Sequence, residues 1–350
     1  MKVNTSTIAQ KAGVSRVTVD KVIHNRPGVS EATRKRILEI IEELNYIPPQ
    51  QRKKAAAGEK KLRLAVLLPD TDDSYAQKLQ KGIRSACQQM SSSAPDLNFY
   101  FCNPYDPLPM EGILQYLLRN PVDGVILRAI SDNSIRRCVR ELTAASIPVF
   151  TVDADIEDSG RICFLGEDLY QTGRISASML CRSIGYRGKV ALFIGSRNVE
   201  TSSLRLQGFQ DYLADCAPAV EVVAIVETMD QHIIAYREAR RLLTEHPDMA
   251  GLWNAVSCGE DVARAAEDME MADRVCIGTL LLNRSIYPLI RQGVIDYTLA
   301  LVPFEMGRKI IGIAAQYIRQ GIRPEQEHIE SPAYIAIDAN IDQLSKEYPL

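Results

Sequence analysis

Three short helical patterns occupy the first 48 residues, each too brief to bury its apolar stripe alone. Ile8, Ala9 and Ala12 fall at i, i+1 and i+4, one face of a helix running from about Thr5 or Ser6 to Ala12. Gly13 ends it, because a helix C-terminus often turns through left-handed backbone that glycine accepts. Ser15 is a natural N-cap for a second helix, whose Val19, Val22 and Ile23 form an apolar stripe. After the turn Asn25-Arg26-Pro27-Gly28, Ser30 opens a third, with Ile37, Ile40, Ile41 and Leu44 at i, i+3, i+4 and i+7. Two helices joined by Ala12-Gly13-Val14 make a helix-turn-helix, and the third stripe covers both.

From Leu62 the pattern changes to short apolar runs alternating with amphipathic stretches. Strands are predicted at Leu62–Leu68, Asn98–Cys102, Gly124–Leu127, Pro148–Val152, Lys189–Ile194, Gly251–Trp253, Val275–Gly278 and Ala333–Ile337. Helices are predicted between them at Tyr75–Met90, Gly112–Asn120, Ser134–Ala145, Tyr170–Ile184, Leu204–Ala214, Ala235–Glu245 and Glu260–Met269. Such alternation predicts an α/β, doubly wound architecture of parallel sheets covered by helices, and its nearly 290 residues predict two lobes. Ligands in such sheets bind beyond the carboxyl ends of the strands.

Composition narrows the chemistry. The 350 residues are 46% hydrophobic and 24% charged, as in soluble globular chains, and no apolar run approaches the roughly 20 residues that span a bilayer. MKVNTSTIAQ has no apolar h-region, so a cytoplasmic protein without membrane partners is expected. Eight cysteines without CxxC spacing read as reduced thiols, and four scattered histidines offer neither a metal cluster nor a Ser/His/Asp signature. No GxGxxG follows a strand and no P-loop is present, so neither an enzyme nor a cofactor is expected. Charge is asymmetric: residues 1–61 carry 13 Lys/Arg against 6 Asp/Glu, a net +7, which leaves residues 62–350 at −10. A basic head on an acidic body points to a polyanionic partner for the head alone.

The second helix turns Arg16, Val17, Asp20 and Lys21 away from the small core. Arginine and lysine donate to guanine O6/N7 and a valine methyl packs on the thymine methyl, so this face has the chemistry of major-groove readout. Asp20 fits only by accepting from cytosine N4 or by orienting Lys21 or Arg16. Thr5, Ser15, Thr18, His24, Ser30, Thr33 and Arg34 surround the face as candidate phosphate contacts. The alternative is an ordinary amphipathic helix with a solvated charged face, which the helix-turn-helix spacing and the +7 charge disfavour.

The run Ile8-Ala9-Gln10-Lys11-Ala12-Gly13-Val14-Ser15, then Thr18-Val19, Val29-Ser30, Thr33-Arg34 and Glu43-Leu44-Asn45-Tyr46-Ile47-Pro48, resembles the headpiece of LacI/GalR-type regulators. The resemblance implies that Arg16, Val17 and Lys21 occupy base-contacting positions, with Asp20 in place of a usual serine and His24 of a usual asparagine. It implies a helix-turn-helix headpiece at 1–48, a hinge at 49–61 and an effector-binding and dimerisation domain at 62–350. In the hinge, Pro49 stands where asparagine is usual, and Ala55 where a leucine would wedge into the minor groove; alanine is too short for a strong wedge. Arg52 and Lys53 supply phosphate attraction, whether the segment is a helix or a flexible basic tether.

Farther on, Asp168-x-Tyr170-x-x-Gly173, Arg205-x-x-Gly208-Phe209, Gly293-Val294-Ile295-Asp296 and Pro303-x-Glu305-Met306-Gly307 resemble the type I periplasmic-binding-protein fold. That topology implies an N-lobe of 62–165 and 297–323 and a C-lobe of 166–295 and 326–350. Polar residues at strand ends are the cleft candidates: Asp70, Ser74, Tyr75, Arg128, Asp153 and Asp155 from the first lobe, Arg197, Arg205, Trp253, Asn254 and Ser257 from the second. The resemblance gives sugar-clamping roles to Asp153 or Asp155 and to Arg205. Leu280 and Leu301 stand where an aspartate and a glutamine are usual, which, with Arg128 opposite, favours an effector with an anionic group and an apolar or deoxygenated side.

The expected function is therefore a DNA-binding transcriptional regulator, a repressor, acting as a homodimer on a pseudo-palindromic double-stranded operator under control of a sugar or sugar acid. The alternative is a sugar-binding receptor of a transport system without DNA function.

Overall fold

A computed structural model describes residues 5–23, 29–30, 33–37, 40, 61–70, 74–90 and 93–348, and the chain divides into two compact units, Met1–Lys61 and Leu62–Leu350. The hinge positions Arg52, Lys53 and Ala55, and His24, lie outside the described residues.

In the first unit α1 spans Thr5–Ala12 and α2 spans Arg16–Ile23. Gly13 takes φ 65° between them, and Val14 N–H returns to Ala9 O at 3.0 Å, closing the end of α1. Ser15 Oγ accepts from Thr18 N–H at 3.1 Å as the N-cap of α2. Residues 33–37 are helical, with Ser30 Oγ accepting from Thr33 N–H at 3.3 Å. Ile8, Ala9, Ala12, Val19, Val22, Ile37 and Ile40 form one buried cluster, so the predicted stripes meet.

The second unit holds two six-stranded sheets. The first is entirely parallel, in the order β2-β1-β3-β4-β5-β11, with strands numbered along the chain: β1 Arg63–Pro69, β2 Asp96–Cys102, β3 Gly124–Leu127, β4 Val149–Val152, β5 Cys163–Gly166 and β11 His328–Glu330. Alternation along β1 sends Leu64, Val66 and Leu68 to one face, against α3 (Ser74–Gln89) and α11 (Pro303–Gln320). Ala65 and Leu67 face α4 (Pro107–Arg119) and α5 (Asn133–Ala144). Inner strands are thus buried on both faces, and their sequences read as continuous apolar runs.

The second sheet runs β12-β10-β9-β8-β6-β7, from β6 (Gly188–Ile194), β7 (Val220–Glu227), β8 (Met249–Asn254), β9 (Cys276–Leu280), β10 (Tyr297–Leu301) and β12 (Ala333–Ala336); only β12 is antiparallel. One face packs on α6 (Leu169–Ser183) and α7 (Glu200–Cys216), the other on α8 (His232–Glu245), α9 (Gly259–Asp268), α10 (Ile286–Arg291) and α12 (Ile341–Glu347).

The lobes differ from the implied boundaries in two stretches, 297–301 and 328–330. Tyr297–Leu301 is an inner strand of the second sheet: Tyr297 is buried toward α6 and α7 and Ala300 toward the opposite core. The chain returns to the first lobe only at Pro303, with α11, and β11 at 328–330 adds an edge strand there before β12 goes back. Among the described residues no helix is long and apolar enough to cross a membrane.

Two helix crossings are close enough to exclude a side chain. A Cβ on Gly82 would lie 2.0 Å from Phe304 O where α3 meets α11, and one on Gly173 would lie 2.0 Å from Arg205 O where α6 meets α7. The second crossing explains both short motifs around it: Asp168 caps α6, its carboxylate accepting from Gln171 N–H at 2.9 Å, and Gly173 and Gly208 admit each other's helix backbone.

Candidate functional site

On the head, α2 buries Val19 and Val22 and turns Arg16 and Val17 outward; Val17 is 66% exposed, an apolar side chain outside the small core. Asp20 and Lys21 are half-buried beside them. Ser15 and Thr18 hydroxyls pair at 2.9 Å, and Ser30 and Thr33 at 2.7 Å, so two helix starts each present a hydroxyl pair around that face. Arg34 follows Ser30, its N–H bonded to Ser30 O. Thr5 opens α1, but its side chain is not among those described.

In the body, a cleft opens at the carboxyl ends of both sheets, with an enclosed volume of about 100 Å³. This is the position the topology of parallel strands provides for ligands. Its polar edge is built around Asp153. Ala154 N–H returns to Val152 O at 2.8 Å, a γ-turn around Asp153 at φ 67°, and such a backbone is uncommon outside glycine. The 3%-exposed Asp153 carboxylate accepts Tyr75 Oη–H at 2.6 Å on one oxygen and the Arg128 Nε–H on the other. Burial first, then the Asp153 charge, pushes the Tyr75 phenol well above its usual range, so Tyr75 remains a donor.

From the second lobe, Arg205 reaches the cleft from α7 and forms a buried ion pair with Glu167, whose other oxygen accepts from Thr172 Oγ1 at 2.9 Å. Arg205 Nε is buried without a hydrogen-bond partner among the described residues. Tyr105 Oη–H donates to Asp230, which also accepts from Ser257 Oγ at 3.0 Å. One stretch of the wall is apolar, with Leu280, Leu281 and Leu301 at the ends of β9 and β10.

Residues 64–322 match the description of a periplasmic binding protein domain, and residues 6–49 match bacterial regulatory proteins of the lacI family. The chain belongs to the lacI family of regulators. It is 22% identical over 297 residues to the HTH-type transcriptional regulator DegA of Bacillus subtilis, covering 83% of this chain and 86% of that one. Identity to the sucrose operon repressor of Escherichia coli is 28% over 264 residues, 73% of this chain and 75% of the relative. An ABC transporter solute binding protein from Agrobacterium vitis, solved with bound D-fucose, shares the fold at 18% identity, with a TM-score of 0.76 over 82% of this chain and 99% of that one.

Of the cleft candidates in this lacI-family chain, Tyr75, Arg128, Asp153, Arg205, Leu280 and Leu301 come together, as does Ser257. Others lie elsewhere. Asp155 is bound by Arg161, with Nε at 2.5 Å, and by Thr151 Oγ1 at 2.6 Å, so it fastens the loop between β4 and β5. Arg197 lies half-exposed beside Glu227, 3.6 Å away. Trp253 is fully buried, stacked on Phe209 with ring centroids 4.4 Å apart, and buried Asn254 accepts from Val256 N–H. Ser74 begins α3, and its side chain is not among those described. Tyr105, Thr201, Ser202 and Asp230 also line the cleft without having been singled out in the sequence. Asp230 follows β7, whose Val-Glu-Val-Val-Ala-Ile-Val-Glu is a legible strand signal absent from the predicted set.

Proposed function

We propose that this regulator binds a pseudo-palindromic double-stranded operator as a homodimer in the cytoplasm, as a repressor, and that a small carbohydrate-like molecule in the cleft controls that binding. One head contacts few phosphates, and specificity at physiological salt generally needs two heads on two half-sites. Effector binding changes the lobe arrangement and through it the spacing of the heads, a coupling of about 1–3 kcal/mol in typical cases. The reading assigns the chain no catalytic step and no cofactor.

The observation that carries this reading is the pairing, in one chain, of an outward Arg16–Val17 face with a two-lobed cleft whose polar groups converge on Asp153. Carboxylate, guanidinium and phenol groups at hydrogen-bonding distance from one another suit a polyhydroxylated ligand. The expectation of an anionic group draws on Leu280 and Leu301 in place of hydroxyl-binding groups with Arg128 opposite; the bond from Arg128 Nε to Asp153 weighs against the anionic part of it.

Selection of bound sites from random duplex DNA by the full-length protein, with and without a mixture of sugars, tests the reading. Two half-sites related by a dyad should be enriched, and the mixture should change the yield. Arg16→Ala should lose the enrichment. Recovery of single unrelated sites, or unchanged selection by Arg16→Ala, would remove the proposal.

A further inference from the structure

Polar and apolar groups in the cleft are segregated. Leu280 and Leu299 are register partners on neighbouring strands, and Leu280, Leu299 and Leu301 form one buried cluster with the Tyr75 ring packed against it. Leu281, at φ 81°, continues the wall. The Tyr75 hydroxyl belongs to the opposite edge, with Asp153 and Arg128, so the boundary between wall and edge runs along one side chain. A hydroxyl pressed against three leucines would lose its water hydrogen bonds with nothing to replace them.

Both cations in the cleft have carboxylate partners, and the third carboxylate, Asp230, meets only neutral donors among the described residues. Arg128 is bonded to Asp153 and Arg205 to Glu167, while Asp230 is held by Tyr105 and Ser257. An anionic ligand would enter a half-enclosed space in which both guanidiniums already have carboxylate partners and Asp230 adds a further negative charge, and desolvating it would go uncompensated unless a pair broke.

Resting on the reading of the cleft as the effector site, we propose that the effector is a neutral deoxy sugar. Its hydroxyl edge lies on Tyr75, Asp153, Arg128 and Arg205, and its deoxygenated carbon lies on Leu280, Leu281 and Leu301.

Calorimetry on the full-length protein with matched probes tests this: D-galactose against 6-deoxy-D-galactose, D-glucose against 6-deoxy-D-glucose, L-mannose against 6-deoxy-L-mannose, together with D-glucuronate and D-galacturonate. At least one deoxy sugar should bind about tenfold or more tighter than its parent, the scale expected for burying one unpaired hydroxyl, and tighter than either uronate. Leu280→Asp should erase or reverse that preference, and Leu301→Gln serves the same purpose if the first variant fails to fold. A parent hexose or uronate binding as tightly as the deoxy sugars, or a preference unchanged in a folded variant, overturns the inference while leaving a carbohydrate effector in place. Silence from every probe, with operator binding intact, overturns the carbohydrate reading and this inference with it.

Discussion

Tyr105, on the loop after β2, donates its phenolic proton to Asp230, on the loop after β7, so one hydrogen bond ties the first lobe to the second across the cleft. The approach depends on Gly195, where a Cβ would lie 2.9 Å from the Tyr105 hydroxyl. Burial first, then the Asp230 charge, raises the Tyr105 phenol far above its usual range, so the bond persists through neutral and mildly alkaline pH. Asp230 itself sits at φ 55°, like Asp153 and Leu281 a cleft residue held in backbone that non-glycine residues rarely adopt.

Tyr105→Phe keeps the ring and removes the donor. Effector affinity should fall about two- to twelvefold, the range of a net hydrogen bond of roughly 0.5–1.5 kcal/mol, while operator binding without effector stays within twofold. Calorimetry for the effector and a gel shift for DNA would report both numbers. Unchanged effector affinity would mean that lobe closure does not use this bond.

The buried pair of Glu167 and Arg205 predicts losses of stability that do not add. Glu167 follows β5 at the passage between lobes, and Arg205 stands on α7, both under 10% exposed. Glu167→Ala leaves a buried guanidinium without its carboxylate and should destabilise the body by about 3–5 kcal/mol. Arg205→Met leaves the buried Glu167 carboxylate with Thr172 and should cost a comparable amount, whereas the double variant Glu167→Ala/Arg205→Met, which removes both buried charges, should recover most of that stability yet still fail to bind effector. Urea denaturation with effector titration separates stability from binding, and a double variant no more stable than either single one would contradict the argument.

Much of this layout was legible in the sequence because the strands that build the cleft are buried on both faces. Leu64–Leu68 and Val149–Val152 announce themselves as apolar runs, and the residues just past them, Tyr75, Arg128 and Asp153, follow from the rule about strand ends. The rule failed where a strand-end polar residue had a nearer partner. Asp155 meets Arg161 six positions on, and no pattern distinguishes it from Asp153, whose γ-turn points its carboxylate into the cleft. Trp253 was drawn by position toward the ligand, but alternation on β8 sends it to Phe209. Tyr105 and Asp230 also follow strands, but β7 is absent from the predicted set, and only tertiary pairing shows that the two side chains meet.

Lys78 gives a pH dependence of definite sign. Its ammonium donates to Leu282 O at 3.1 Å, and its pKa is lowered to about 8 by burial first, then by Lys81 and Arg284. The unfolded chain holds that proton up to roughly pH 10.4, so between about 8 and that value the unfolded state binds more protons and stability rises with pH. Below pH 8 both states are protonated and the penalty is present in full. Urea midpoints at pH 7, 8, 9 and 10 should show this rise against the background of other groups. In Lys78→Met the increment over that window should shrink, whereas an identical pH profile in the variant would assign the rise elsewhere.

Glycines in the body's helices should divide into two classes when changed to alanine. A Cβ on Gly208 would lie 2.0 Å from Tyr170 O, a backbone atom that cannot swing aside, so Gly208→Ala must push α6 and α7 apart. Overpacking of this kind typically costs about 1–3 kcal/mol, and Arg205 lies on the displaced helix three residues earlier, so effector affinity should fall with stability. Gly112 in α4 and Gly312 in α11 have nothing within 4 Å of the same added atom and lie in helices with φ below zero. Alanine there restricts the unfolded chain without a clash and should stabilise by about 0.4–1 kcal/mol, with effector affinity unchanged. Thermal unfolding of the three variants beside wild type decides the matter, since a tight helix crossing at Gly208 is incompatible with a Gly208→Ala protein as stable as the Gly112→Ala one.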